Sequence, residues 1–250
     1  METLKIDDGG DRLSVQLHRP EVRNAIDQQM VDELHLVCTD LERDPRILIL
    51  SGTGGVFASG ADIAQLKERR RDDALAGINS RLFSRIAQLP LPVIAALDGY
   101  ALGGGAELAF AADFRLGTPE LKIGNPETGL GILPAAGATW RLRELVGEPL
   151  AKEILLTGRV LNAEEALAAR LITEIHPADA LLQAAHKLAD RIARQDPLAT
   201  RITKSVFRAP REAHPMIDQL AQGILFESDA KFERMQAFLT RKDTDRKKKK

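Results

Sequence analysis

The apolar positions of this chain switch between a period of two and a period near 3.6 until about residue 145, after which only the helical period remains. Leu13, Val15 and Leu17 in "LSVQL" alternate with polar residues and predict a half-buried strand. From Asp27, a residue suited to cap a helix, Met30, Leu34, Val37 and Leu41 recur at helical spacing. The runs "ILIL" at 47–50 and "PVIAAL" at 92–97 are apolar throughout, as strands buried on both faces are. Each run leads into a glycine-containing turn, "SGTGGVFASGAD" or "DGYALGGG", and then into a helical pattern. Short strands are predicted around "DFRLG" and "LKIG". This mixed order of strands and helices predicts an α/β fold.

Beyond it, Asn162 and Glu165 have the spacing of a capping box that opens "AEEALAARLI". Leu181, Ala185, Leu188 and Ile192 form one helix face, Ile217, Leu220 and Ile224 another. Phe232, Met235 and Leu239 predict a last helix. No Ser/Gly linker divides the chain. The expected organisation is a core over 1–195, a helical C-terminal subdomain over 196–240, and a basic, disordered tail over 241–250.

Composition narrows the function classes. The chain has 250 residues, 44% hydrophobic and 28% charged, enough for a sizeable core. Its net charge of −1 hides an acidic body and a tail, "RKDTDRKKKK", with seven basic residues against two aspartates. That is no general nucleic-acid footprint. The single cysteine, Cys38, excludes an internal disulfide and a cysteine metal cluster, and its helical setting predicts a buried, inert thiol. The start, "METLKIDDGGDRL", lacks the basic and apolar segments of a signal peptide, and no apolar run has bilayer length. A cytoplasmic protein with no membrane partner is expected.

Several chemistries fail on position. The dinucleotide fingerprint would need glycine at Phe57, the phosphate loop would need lysine at Ala61, and Ser59 lacks the glycine of a nucleophile elbow. His18, His35, His176, His186 and His214 show no metal-ligand spacing. What remains is two turns, Gly60-Ala61-Asp62 and Gly103-Gly104-Gly105, each ending at a helix start where N–H groups lack partners. Side by side, they would aim two N–H groups at one oxygen. Glu107 lies about one helical turn past Gly104, in an "AELAFAA" helix with little polar surface. On the residues alone it is either solvated or held, and Glu127 reads as an exposed loop residue.

"FASGADIAQL", "GYALGGGAELAFAADFRLG" and "KIGNPETGLGILPAAGATWRL" resemble the three signature blocks of the enoyl-CoA hydratase/isomerase, or crotonase, superfamily. The likeness runs from "HRPEVRNAI" to "LLTGRVLNAEEA" and "FERMQAFL". It implies a crotonase-type (ClpP/crotonase-like) spiral of β-β-α units with a helical C-terminal region, assembled as a homotrimer or dimer of trimers. It implies an acyl-CoA thioester substrate and no metal, flavin or nicotinamide cofactor (coenzyme A being part of the substrate), while the charge distribution makes a nucleic-acid partner unexpected. By the resemblance, the N–H groups of Ala61 and Gly104 form an oxyanion hole. Asp62, Ile63, Ala64, Gly103 and Trp140 join them in lining the thioester, and Arg23, Asn24 and Ala25 meet the adenine end of coenzyme A. Phe226, Lys231 and Phe238 would lie near a neighbouring subunit's ligand or the adenine pocket.

The same resemblance makes Glu107 the residue that orients and deprotonates water and Glu127 the proton donor at C2, the pair of a 2-enoyl-CoA hydratase. Two other readings stand beside it: a double-bond isomerase of the same fold, and a non-catalytic CoA-thioester or RNA-binding relative with the lysine-rich end as an adhesive tail. The chain departs from the usual hydratase pattern at Ala135 and Ala138, which replace glycines, at Trp140, which replaces glutamine, and at Arg170, which replaces a helix-end glycine. Ala135 also stands where isomerases with such a tryptophan tend to carry aspartate. Between Gln65 and Phe83, Ile78, Leu82 and Phe83 are expected to face the acyl group.

Overall fold

The computed structural model describes residues 1–248 and, from residue 242 onward, the backbone alone. It comprises two compact units, Met1–Ile192 and Ala193–Lys250. The first unit runs through four turns of one spiral, each with a strand, a shorter strand or bridge, and a helix. β1 (Leu4–Asp8) and β2 (Arg12–Leu17) pair antiparallel, and the chain then passes the bridge residue Ile26 into α1 (Gln28–Arg43). β3 (Ile47–Gly52) leads through the bridge residues Ala58 and Ala61 to α2 (Ile63–Glu68), α3 (Arg71–Ala76) and α4 (Ile78–Ala87). β4 (Val93–Leu97), β5 (Tyr100–Leu102) and α5 (Gly104–Ala111) make the third turn. β6 (Phe114–Gly117), β7 (Lys122–Gly124), a 3-10 turn over Pro126–Leu130 and α6 (Ala138–Val146) make the fourth. α7 (Glu148–Thr157), β8 (Val160–Asn162), α8 (Ala163–Ala168), β9 (Glu174–Ile175) and α9 (Ala178–Ala193) follow.

The long strands form one sheet in the order β1-β2-β3-β4-β6-β9, parallel from β2 onward. The short ones form a second, β5-β7-β8, and the bridges Ile26↔Ala61 and Ala58↔Ala101 carry the same spiral step through the earlier turns. The expected α/β spiral of β-β-α units is therefore the observed fold.

The apolar runs are explained by two cores, one on each face of the long sheet. Leu48, Leu50, Val93 and Ala95 face the larger core with Met30, Leu34, Val37 and Leu41 of α1. Ile47, Ile49, Ile94 and Ala96 face a second core with Leu181, Ala185 and Leu188 of α9. A strand with both faces covered has no polar side to show. Asp27 caps α1 by accepting from the Met30 N–H, and Asn162 and Glu165 form the expected capping box at α8. β1 carried no clear signal, because in "LKIDD" only Leu4 is buried. Arg170 ends the α8 segment with φ 58, in the left-handed region that glycine enters freely; an L-residue there is strained by about 1 kcal/mol.

In the second unit, Asp196 caps α10 (Pro197–Phe207) through the Ala199 N–H, and α11 (Met216–Phe226) and α12 (Asp229–Lys248) follow. The boundary expected after residue 195 falls after Ile192, the last residue of the α9 face that packs on the second core. The segment from Arg241, expected to lack structure, continues α12 as far as Lys248: it holds no glycine or proline, and lysines suit a helix C-terminus. Residues 249 and 250 lie outside the described residues. The predicted faces of α11 and α12 are uncovered, with Leu220, Ile224, Phe232, Met235 and Leu239 all more than half exposed. No helix among the described residues is long and apolar enough to cross a membrane.

Candidate active site

The parallel bridge Ala58↔Ala101 sets the two glycine turns side by side. The Ala58 N–H donates to the Tyr100 carbonyl at 3.0 Å and the Leu102 N–H to the Ala58 carbonyl at 3.1 Å. The backbones approach so closely that a Cβ on Gly105 would lie 2.4 Å from the Ala58 oxygen, which leaves room for glycine alone. Gly103 has φ 51, and a Cβ there would lie 3.1 Å from Glu127 Oε1. Gly104 differs: its Cβ would stand 3.4 Å from the Ala61 nitrogen and 3.6 Å from Asn79 Nδ2, at ordinary contact distance. The N–H groups of Ala61 and Gly104 thus border one small space, and neither has an acceptor among the described residues.

Two carboxylates flank this space. Glu107, one turn into α5, is 3% exposed, and its Oε1 accepts the Ala136 N–H at 2.7 Å and the Ala138 N–H at 3.0 Å. Oε2 is left for another partner. Glu127 is 8% exposed in the 3-10 turn, contrary to the exposed loop residue that its sequence neighbours suggest. Asn125 Nδ2 lies 3.4 Å from its Oε1, and its Oε2 is buried with no hydrogen-bond partner. Burial pushes the Glu107 carboxyl up to about 7; the Glu127 charge adds to the rise, while the Ala138 and Ala136 N–H groups and Arg141 oppose it. Burial also raises Glu127, with Asn125 opposing.

The model of the family described as enoyl-CoA hydratase/isomerase matches residues 12–248. The chain belongs to that family. A crotonyl-CoA hydratase of Syntrophomonas wolfei is 35% identical over 235 residues, 90% of each chain. A 2,3-dehydroadipyl-CoA hydratase of Escherichia coli is 33% identical over 241 residues, 93% of this chain and 94% of that one. The crystal structure of an enoyl-CoA hydratase from Bacillus anthracis aligns with a TM-score of 0.90 at 30% identity over 96% of both chains.

Other positions carried over from the family fall into different settings. Arg23 is exposed at φ 54. Asn24 is fully buried, and its carboxamide is taken up by the fold: Nδ2 donates to the Thr53 and Val56 carbonyls and Oδ1 accepts from the Arg19 N–H. The Ala25 carbonyl accepts from Arg19 Nη1. Asp62 caps α2 through the Ala64 and Gln65 N–H groups and pairs with Arg19 at 3.2 Å, so its carboxylate positions the turn. Ile63 and Ala64 are exposed. Trp140 is 49% exposed, with the Arg141 guanidinium 4.0 Å from its ring centroid. Lys231 lies over the Phe226 and Phe232 rings within the second unit, where Phe238 is exposed. Leu82 and Phe83, expected at the acyl group, are fully buried in the larger core. Cys38 is buried as expected, which pushes its thiol up to about 12.

The family pattern in the sequence did not single out the N–H groups of Ala136 and Ala138, because backbone donors carry no side-chain signature. Gly137, between them, has φ 134, and a Cβ there would strike Arg141 Nη1. The turn therefore keeps its one obligatory glycine, while the methyl of Ala135 is exposed and that of Ala138 is buried. Asn125, two residues before Glu127 in the "NPE" spacing, sets its amide beside that carboxylate.

Gly105→Ala is expected to destabilise the fold by about 3 kcal/mol or more, and Gly104→Ala by under about 1 kcal/mol. Denaturant unfolding of both checks this, and equal losses would contradict the close approach at Ala58. A carboxyl whose folded pKa is raised contributes stability that is fully present below its unfolded value and lost as pH rises through about 7. Relative to wild type, Glu107→Gln is therefore expected to gain about 3 kcal/mol in unfolding free energy between about pH 5 and pH 8. A difference independent of pH would show that Glu107 is not held in this state.

Proposed function

We propose that the protein is an enoyl-CoA hydratase, adding water reversibly across the C2=C3 bond of a trans-2-enoyl-CoA to give a 3-hydroxyacyl-CoA. The observation that carries this reading is the meeting of two buried carboxylates beside two unpartnered N–H groups. The thioester oxygen sits between the Ala61 and Gly104 N–H groups, which hold the negative charge that develops on it as C3 is attacked; the dipole of α5 adds to that field. Glu107 keeps Oε1 on the Ala136 and Ala138 N–H groups and uses Oε2 to orient water and take its proton. The oxygen of that water bonds to C3, the C2=C3 electron pair moves into the enolate, and Glu127 delivers a proton to C2. The unpartnered Oε2 of Glu127 suits that task. No step calls for a cofactor.

We also propose a homotrimer or a dimer of trimers. Support comes from the second unit, where an apolar groove of about 910 Å³ is lined by Ile202, Val206, Phe207, Leu225 and Phe226, with Phe207 87% exposed. Apolar patches of that kind mark association surfaces. Sedimentation equilibrium is expected to give a mass three or six times that of the chain, and a monomer at micromolar concentration would dismiss the assembly.

The activity is tested by the loss of conjugated-thioester absorbance when crotonyl-CoA is added. Wild type is expected to turn it over, with Glu107→Gln and Glu127→Gln each slower by about a hundredfold to ten-thousandfold. Migration of the double bond without net water addition would replace hydration by isomerisation, and binding without either would leave a non-catalytic thioester binder.

A further inference from the structure

Asn79 is a polar side chain where an acyl wall was expected to be apolar. It occupies the first turn of α4, between Ile78 and the core residues Leu82 and Phe83. Its Oδ1 is buried with no hydrogen-bond partner, and no hydrogen bond within the described residues engages its Nδ2. A buried amide oxygen left unsatisfied costs free energy and is rare in a folded protein, and the Nδ2 beside it is left free to donate to a ligand. A ligand carbonyl oxygen cannot pair with Oδ1, since both only accept, but it can accept from Nδ2, and the place of Nδ2 shows which oxygen that would be. A Cβ built on Gly104 would lie 3.6 Å from Asn79 Nδ2 and 3.4 Å from the Ala61 nitrogen. Three nitrogen donors, two of the backbone and one of a side chain, therefore border the same space, and none of them has an acceptor among the described residues.

We propose that Asn79 is a catalytic residue: its carboxamide Nδ2 donates a third hydrogen bond to the thioester carbonyl oxygen as that oxygen becomes an enolate. The inference rests on the hydratase reading of the Ala61–Gly104 pair. It assigns α4 a role beyond packing, since the helix brings to the oxyanion a donor that the two glycine turns do not supply. Backbone donors are fixed in place, whereas the carboxamide can follow the oxygen as charge grows on it. That makes its contribution larger in the transition state than in the bound substrate, so it acts on kcat more than on KM.

The test compares wild type, Asn79→Ala and Asn79→Asp in crotonyl-CoA hydration, with the absorbance of bound cinnamoyl-CoA as a second readout. Hydrogen bonds to the carbonyl of a conjugated thioester pull its absorption to longer wavelength, and a residue that only packs does not. Asn79→Ala is expected to lower kcat about tenfold to a hundredfold with KM changed less than about threefold, and to shrink the red shift. Asn79→Asp has the same shape but sets a negative charge against the enolate, and is expected to fall at least about tenfold below Asn79→Ala. Asn79→Ala within twofold of wild type, or Asn79→Asp no slower than Asn79→Ala, overturns the proposal. Should the aspartate variant not fold, the kcat and red shift of Asn79→Ala decide alone. A wild type that neither hydrates crotonyl-CoA nor red-shifts cinnamoyl-CoA overturns the hydratase reading itself, an outcome distinct from the failure of Asn79.

Discussion

The site depends on one close approach between two stretches of backbone. Where Ala58 pairs with Ala101, the Ala58 oxygen accepts the Leu102 N–H and lies where any side chain on Gly105 would have to be. This contact joins the second and third turns of the spiral. It sets the Ala61 nitrogen against Gly104, and it fixes where α5 begins, hence where Glu107 stands one turn later. A wider separation would move the two N–H groups apart and rotate the carboxylate away from both. The three consecutive glycines serve three needs: a left-handed φ beside Glu127, an open space over an N–H group, and passage for a carbonyl.

Holding carboxylates in that position opposes stability. Both glutamates are nearly inaccessible to water, and each raises the other's cost of ionisation. The fold offsets this unequally. Glu107 receives two short N–H bonds from the turn at Gly137, and the buried guanidinium of Arg141 adds a favourable field. These donors belong to the main chain, so the turn tolerates alanine at 135 and 138 as long as its path is kept. What holds that path is Gly137, whose φ and whose contact with Arg141 exclude a side chain.

Much of the frame was legible in the sequence because burial on both faces leaves an unbroken apolar run, as in β3 and β4, and because caps such as Asp27 and Asn162 obey local rules. β1 was not legible, since an edge strand with one buried residue has no pattern to read. The glutamates were legible only through their family blocks. Hydropathy does not mark Glu127 as buried, because its partner close in sequence, Asn125, is polar and the approach of Gly103 comes from across the second sheet. At Asn24, a position that reads as a ligand contact, the side-chain carboxamide is bonded to Thr53, Val56 and Arg19 and shapes the loop. Asn79 was not legible, since periodicity reports a helix face and not the single polar atom that a face carries.

The unequal support of the two glutamates bears on the direction of proton flow. The N–H donors at 2.7 and 3.0 Å favour a negative charge on Glu107, while burial and the Glu127 charge oppose it and push the Glu107 carboxyl up to about 7. On the proposed reading, Glu107 begins as the base and Glu127 as the acid, and the proton leaves Glu127 as another arrives on Glu107. The pair then keeps its net charge through the reaction, so the buried site never has to accommodate a second negative carboxylate. Dehydration requires the reverse distribution. A Glu107 carboxyl near 7 keeps that distribution within reach at neutral pH, so one geometry can serve both directions of a reversible addition.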